Sequence, residues 1–406
     1  MDPRPEPSAD HDAYTDGRDP RLSRRQLLRA GLALPALALP LAAACDSGHP
    51  RAASSATAST THRGSTSTVP AETTTTLPRG PLGSGQSVTF AFAGDSQFPD
   101  LFDREAGAIS SGPTTLAARL RQDPTTLLAP IAPVLSSADL AMVNLETAIT
   151  DRGDPVAGKA YHFRSPALSF DALRAAGVKV VNMANNHALD YGPVGMEDTF
   201  AAIAASGLAV VGIGHDATEA YRPHRSVIKG QRISILSAVD WLEPALVPAW
   251  TATDRQPGLA FAIDRAPLVA AVTAERPQAD TLITFLHWGV EETHCASPEQ
   301  QTLAQALLAA GADIVVGSHA HRVFGAGRVG NALVAYGLGN FVYWREDGES
   351  GRSGVLLVSA TGRRVDTYSW VPARITQGIP VPETGAAAAA SQAEWAKRRV
   401  CSGLPA

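Results

Sequence analysis

The chain has 406 residues, of which 45% are apolar and 18% are charged, and its formal net charge is −5 at pH 7. This length and apolar content are sufficient for one large domain with a substantial core. A nucleic-acid-binding function is disfavoured, because the slight negative charge is accompanied by no basic stripe and no basic helix.

The N-terminal segment, residues 1–45, has the features of an export signal. Arg24 and Arg25 stand in a twin-arginine pattern, and the apolar stretch 30–44 that follows is too short to span a bilayer. The run Leu-Ala-Ala-Ala-Cys at 41–45 resembles a lipobox, which predicts lipidation of Cys45 and anchoring at the outer face of the cytoplasmic membrane. The alternative is a soluble secreted protein cleaved at an Ala-x-Ala site.

Residues 46–87 are rich in Ser, Thr, Ala, Gly and Pro and contain too few apolar residues to pack. We expect this segment to be a disordered spacer between the membrane surface and a folded domain at 88–406.

From Val88 onward, strand and helix patterns alternate, which predicts a layered α/β sandwich. The predicted strands are 88–93, 139–144, 177–183, 208–213, 232–239, 280–286, 312–316 and 332–337. The predicted helices are 123–137, 168–176, 193–206, 264–275 and 298–310. Two further strand patterns, 353–360 and 364–371, have no helix between them and predict an antiparallel addition at the C-terminal end of the sheet.

Polar side chains follow five of the predicted strands at the point where each strand ends. Because the carboxyl ends of parallel strands meet at one edge of a sheet, these side chains are expected to lie together. Imidazole, amide and carboxylate groups in one place are typical of a divalent transition-metal site. The candidate ligands are Asp95, Glu146, Asn186, His287, His319 and His321.

Each candidate also has a simpler interpretation when taken alone. Asp95 could cap a helix, Glu146 could be a solvated charge, and His287 could be a core imidazole. The pair His319 and His321 is more specific, since residues two apart on an extended segment project to one side. The coincidence of five strand ends favours the metal site.

Cysteine usage is consistent with an exported protein. With Cys45 lipidated, Cys295 and Cys401 remain, and an oxidising compartment would permit one disulfide between them. Two free, separately buried thiols are the alternative.

The motifs GD (94–95), NLE (144–146), NNHALDYG (185–192), HWG (287–289), GSHAH (317–321) and GLGNFVY (337–343) occur in an order that resembles the CapA-type, or poly-γ-glutamate, capsule-synthesis family. That family in turn resembles the calcineurin-like metallophosphatases. The similarity extends from Val88 to Tyr343, and the run 161–166 also resembles a family segment.

This resemblance implies roles for individual residues. Asp95 occupies the place of the first metallophosphatase aspartate, Glu146 that of a bridging carboxylate, and Asn186 and His187 those of the Asn-His pair. In that pair the amide binds metal and the imidazole acts as an acid or orients the leaving group. The remaining imidazole ligands correspond to His287, His319 and His321. The chain departs from the GDxH pattern at Gln97, which weakens one of two metal positions.

The implied cofactors are one or two divalent ions, Mn, Zn or Fe, which suit mixed imidazole and carboxylate ligands. Arg164 and Arg322 are candidates for binding an anionic substrate, although each could equally be a surface charge. Two functions remain open. One is an accessory protein in the synthesis or export of an anionic polymer, within a membrane complex. The other is an envelope hydrolase acting on phosphoester, amide or ester bonds.

Overall fold

The computed structural model of the chain describes residues 82–98, 101–104, 107–108 and 116–405. The predicted signal peptide, Cys45 and the predicted spacer as far as residue 81 lie outside these described residues. Within the described residues, no helix is both long and apolar enough to cross a lipid bilayer.

The described strands, in chain order, are β1 (Val88–Ser96), β2 (Leu101–Arg104), β3 (Gly107–Ala108), β4 (Leu140–Leu145), β5 (Ala148–Ile149), β6 (His162–Ser165), β7 (Val178–Asn182), β8 (Ala209–Val211), β9 (Ile213–Gly214), β10 (His224–Ile228), β11 (Gln231–Val239), β12 (Gly258–Leu259), β13 (Thr281–Trp288), β14 (Ile314–His319), β15 (Ala326–Val329), β16 (Ala332–Ala335), β17 (Asn340–Val342), β18 (Arg352–Thr361), β19 (Arg364–Thr376) and β20 (Ile379–Pro382).

The described α-helices are α1 (Leu116–Gln122), α2 (Ala132–Leu135), α3 (Leu168–Ala175), α4 (Gly192–Ser206), α5 (Ala217–Ala220), α6 (Val247–Trp250), α7 (Ala266–Glu275), α8 (Pro298–Ala310) and α9 (Gly385–Arg398). A short 3-10 turn at Arg276–Gln278 follows α7.

Two large sheets form the centre of the domain. The first has the order β20-β19-β18-β1-β4-β7-β8, with β17 also paired to β1, and the second has the order β10-β11-β13-β14-β16-β15. In the first sheet β1, β4, β7 and β8 run parallel, whereas β18 and β19 are antiparallel to their neighbours. The predicted C-terminal antiparallel addition is therefore confirmed.

The two sheets pack face to face, and helices cover their outer faces. On β1, Phe90 and Phe92 point into a core shared with Ile235, Phe285 and other residues of the second sheet. The alternate β1 residue Ala91 points to the opposite face, where it packs among residues of the helical layer. This alternation follows from the two-residue period of a strand. The predicted layered α/β sandwich is thus confirmed, with four layers in the order helix, sheet, sheet, helix.

The helix predicted at 123–137 is wrong over most of its length. Residues 124–131 form turns, and only α2 is helical in this region. The segment contains Pro124, Pro130 and Pro133. Proline removes a backbone donor and disfavours helical geometry in the residue before it, so three prolines outweigh the apolar periodicity. Helix α8 begins and ends where predicted, because Ser297 and Gln300 form a capping box and Gly311 adopts a left-handed conformation.

Cys295 and Cys401 form a disulfide, with their Cα atoms 5.3 Å apart. Both residues are exposed, so the alternative of two separately buried thiols is wrong. The bond connects the segment after β13 to the residues that follow α9.

Candidate metal centre

The carboxyl ends of the parallel strands bring the candidate residues to one edge. In the register of the first sheet, Asp95 on β1 lies opposite Asn144 on β4, and Asn144 lies opposite Asn182 on β7. In the second sheet, Trp288 on β13 lies opposite His319 on β14. Because the two sheets pack face to face, both rows of strand ends contribute to the same buried region.

Glu146, His287 and His319 form the first group of donor atoms, which all lie within 4.8 Å of one another. Nε2 of His287 is 3.4 Å from Oε1 of Glu146 and 3.1 Å from Nδ1 of His319. The amide oxygen of Asn186 is 2.8 Å from the same Nε2. Four potential ligands therefore surround one position, with two imidazoles, a carboxylate and an amide.

Asp95, Glu146 and His321 form the second group, again within 4.8 Å. Nδ1 of His321 is 3.4 Å from Oδ2 of Asp95. Gln97 lies at the edge of this group, and its Nε2 donates to Oε2 of Glu146 over 3.4 Å. Glu146 is common to both groups.

The backbone at the GSHAH motif is strained. His319 has φ +96° and His321 has φ +54°, both in the region that favours glycine. The expectation that the two histidines share one side of an extended segment is wrong, because β14 ends at His319 and His321 lies in a bend. The left-handed conformations place the two imidazoles in different donor groups, with ring centroids 6.2 Å apart. Such strain is typical of functional sites.

Close contact between β1 and the GLGN segment fixes Asp95. A Cβ atom on Gly94 would stand 1.8 Å from the carbonyl oxygen of Gly339, so any larger residue would displace that segment. The backbone N–H of Asp95 donates to the same carbonyl over 3.0 Å. The glycine before the aspartate is therefore required by this approach of two backbones.

Asn144 connects the donor groups and was not identified from the sequence. Its Nδ2 lies 2.7 Å from Oδ1 of Asp95 and 3.1 Å from Nδ1 of His287. Its own Oδ1 accepts from Asn182 over 2.7 Å. The available signal was its place in the NLE motif, one residue before the end of a fully buried strand. Asn144 fixes the orientation of one residue from each donor group.

Two buried oxygen atoms fit a bound cation. The amide oxygen of Gln97 and Oε1 of Glu146 are buried and have no hydrogen-bond partner among the described residues. Buried polar atoms are normally paired, and a metal ion would satisfy both. The donor set of imidazole, carboxylate and amide groups suits Mn, Zn or Fe. The residues present therefore fit a divalent metal.

The electrostatics point the same way. Burial raises the pKa of Glu146, and the Asp95 carboxylate raises it further. Burial alone would lower the pKa of His321, but Glu146 and Asp95 raise it to about 10. Burial, with the charges of His287 and His321, lowers the pKa of His319 well below its usual value. Without metal, the His321 imidazolium supplies the positive charge that the two carboxylates require.

His187 lies beside these groups and pairs with Asp190. Its Nδ1 is 2.6 Å from Oδ2 of Asp190, so the ring donates from Nδ1 and carries a lone pair on Nε2. Burial and the nearby Lys159 charge lower the pKa of His187 well below its usual value. A neutral imidazole in this tautomer can accept a proton at Nε2.

The two arginines have local partners. Arg322, which follows His321 and is 8% exposed, contacts the Glu292 carboxylate and donates to Oγ of Ser350 over 2.8 Å. The guanidinium of Arg164 lies 4.9 Å from the ring centroid of Tyr191. The substrate-binding role predicted for each arginine stays a prediction.

Comparisons with known proteins agree with the order of the motifs. Residues 89–344 match the family model described as bacterial capsule synthesis protein PGA_cap. The capsule biosynthesis protein CapA of Bacillus anthracis is 30% identical over 262 residues, which cover 63% of this chain and 63% of that protein. The PGA biosynthesis protein CapA of Bacillus subtilis is 29% identical over 258 residues, covering 62% and 66% respectively. The chain thus spans less than two thirds of either relative.

Among solved structures, a 5'-nucleotidase from Candida albicans is 12% identical, with a TM-score of 0.39. The alignment covers 77% of this chain and 57% of the nucleotidase.

Proposed function

Since this chain belongs to the bacterial capsule synthesis protein family, we propose that it acts in the synthesis or export of a capsule-like anionic polymer of the poly-γ-glutamate type. The observation that carries this proposal is the family match over 89–344, which contains all six residues of the two donor groups and Asn186. We propose that the protein works within a capsule-synthesis complex at the membrane.

We further propose that the two donor groups hold divalent ions. Glu146, Asn186, His287 and His319 would hold one ion, and Asp95, Glu146 and His321 would hold another. A bound ion would supply Lewis acidity toward a phosphoryl or carbonyl oxygen of the substrate. Because Gln97 offers an amide oxygen where a histidine would offer a nitrogen, the second position should bind transition metals more weakly than the first.

The cell envelope is the proposed location. We infer export by the twin-arginine route from Arg24 and Arg25 and a lipid anchor at Cys45. The Cys295–Cys401 disulfide supports this inference, because such bonds persist in oxidising compartments. Replacing both arginines by lysine should trap the precursor in the cytoplasm. Mature protein found in the culture medium without a lipidated Cys45 would contradict the anchor and leave the export route intact.

A polymer assay in the native host tests the main proposal. Deleting the gene should reduce the anionic polymer at the cell surface, and re-expressing the wild-type protein should restore it. A host that retains its full polymer content after deletion would contradict the proposal. Re-expression of His319→Ala then shows whether the metal site is needed, since that variant lacks one of the two imidazoles of the first donor group.

A metal-dependent envelope hydrolase that cleaves phosphoester, amide or ester bonds is the second candidate. The pairing of His187 with Asp190 favours it, because an acceptor imidazole held by a carboxylate beside a metal site can take a proton from an attacking group. Hydrolysis of a chromogenic phosphoester by metal-loaded protein, abolished in both His187→Ala and His319→Ala, would support this function.

A further inference from the structure

Lys159 is a buried lysine on the segment between β5 and β6. Only 1% of its side-chain surface is exposed. Burial of an ammonium group is costly unless it is paired and hydrogen-bonded. The sequence offered one weak signal, since the basic residues of this chain are nearly all arginine and lysine is rare.

Three acceptors surround the Lys159 ammonium. Nζ lies 2.9 Å from Oδ1 of Asp190 and 3.6 Å from Oε2 of Glu243, and it donates to the backbone carbonyl of Asn186. The Trp250 ring centroid is 5.0 Å from Nζ. The three N–H donors of an ammonium match these three acceptors, so its hydrogen-bonding capacity is used in full.

Two of these acceptors belong to the turn that carries Asn186 and His187. The carbonyl of Asn186 belongs to the residue whose side-chain oxygen lies 2.8 Å from His287. The other oxygen of Asp190, Oδ2, pairs with His187 and accepts from the backbone N–H of Phe163 over 2.6 Å. Lys159 therefore contacts the turn at both of its functional ends, residues 186 and 190.

We propose that Lys159 is a positioning residue. Its ammonium ties the backbone of Asn186 to the carboxylate of Asp190, and this holds the amide oxygen of Asn186 in the first donor group and Asp190 against His187. The inference rests on the proposed metal function for the part that concerns Asn186. The part that concerns His187 and Asp190 depends on the hydrogen bonds alone.

An electrostatic role alone would not require this geometry. Glu243 follows β11 and Trp250 lies on α6, so the ammonium also connects the turn to a segment of the second sheet's layer. A positive charge placed anywhere nearby would compensate Asp190, but only a donor at this position can also bond the Asn186 carbonyl. A residue that supports metal ligands in this way typically changes metal affinity by about 10- to 100-fold when replaced.

The test compares Lys159→Met, which keeps an unbranched stem and removes the donors, with Lys159→Gln and Lys159→Arg. A matched control is Arg232→Met, which breaks the buried pair with Asp280, where the side-chain exposures are 18% and 1%. Arg232 begins β11 and Asp280 precedes β13, so this pair lies at the amino ends of the strands, away from the donor groups.

Two measurements are made on the folded, full-length protein. Titration with Mn or Zn should show affinity at the tighter position reduced about tenfold or more in Lys159→Met and Lys159→Gln, with recovery in Lys159→Arg and no change in Arg232→Met. In metal-free protein, the proton NMR signal of the His187 Nδ1–H should shift or broaden in the same two variants only.

The outcomes separate the two ideas. Wild-type metal affinity and an unchanged Nδ1–H signal in Lys159→Met or Lys159→Gln would overturn the positioning role, whatever happens to the melting temperature. A wild-type protein that binds no metal would contradict the proposed metal function. In that case the NMR signal alone decides, and an unchanged signal overturns the role of Lys159.

Discussion

Gln97 lies beside Glu146 in the protein interior, where its Nε2 donates to Oε2 of Glu146 over 3.4 Å and its own amide oxygen has no hydrogen-bond partner among the described residues. The side chain therefore lies at the second donor group, in the place where the GDxH pattern would have a histidine. This placement makes the effect of the substitution testable.

Replacing Gln97 by histidine should raise the metal content from about one ion toward two, because an imidazole nitrogen binds transition metals better than an amide oxygen. Elemental analysis after gel filtration measures the stoichiometry, and hydrolysis of a generic phosphoester should rise with it. Gln97→Leu is the control of similar size without a donor and should not gain metal. Two tightly bound ions in the wild-type protein would show that Gln97 does not weaken the site.

The two histidines of the GSHAH motif should have different effects. His319→Ala should remove the tighter ion, since His319 belongs to the group with Glu146 and His287. His321→Ala should leave that ion bound and affect only the weaker position. Metal titration of the two variants in parallel gives the comparison. Equal losses in both variants would mean that the imidazoles act on a single shared position.

Removing the metal with a chelator should destabilise the protein. A ligand that binds only the folded state stabilises it by about 2.7 kcal/mol when its free concentration is 100 times its dissociation constant. Denaturant unfolding with and without added Mn or Zn measures this difference. The Asp95→Asn, Glu146→Gln double variant serves as the control and should show no dependence on metal.

Glu146→Gln should have opposite effects on the two forms of the protein. Burial and Asp95 raise the pKa of Glu146, so its ionised form costs folding free energy at neutral pH in the metal-free protein. Because this pKa is raised, the cost is absent at pH values below the unfolded pKa of the group and develops as pH rises through the folded pKa. The amide should therefore stabilise the metal-free protein at pH 7 and abolish binding at both positions, since Glu146 is shared. Metal-free Glu146→Gln that unfolds more easily than wild type would contradict this expectation.

Loss of the disulfide should cost stability. Cys295 and Cys401 are 106 residues apart, and the chain-entropy model assigns roughly 4 to 5 kcal/mol to closing a loop of this size. Cys295→Ser, Cys401→Ser and the double variant should lower the free energy of unfolding by similar amounts, because each removes the same bond. Denaturant unfolding under oxidising and reducing conditions checks the effect, and the reduced wild type should match the variants.

The sequence by itself determined the layered α/β arrangement, most strand positions and the residues of the candidate site. These features follow from local patterns, since apolar runs form buried strands and parallel strands carry their carboxyl ends to one edge. Asp95, Glu146 and His287 could therefore be identified without any knowledge of distances. The helix predicted at 123–137 failed for a local reason, because its prolines oppose the periodicity on which the prediction rested.

Only the tertiary structure decided how the candidate residues are distributed. Asn144 and His287 are 143 residues apart in the sequence, and their contact depends on the packing of one sheet against the other. The separation of His319 and His321 into two donor groups depends on left-handed backbone conformations that the motif does not reveal. Lys159 was not identified for the same reason, because an ammonium becomes a structural connection only when folding surrounds it with acceptors from distant segments.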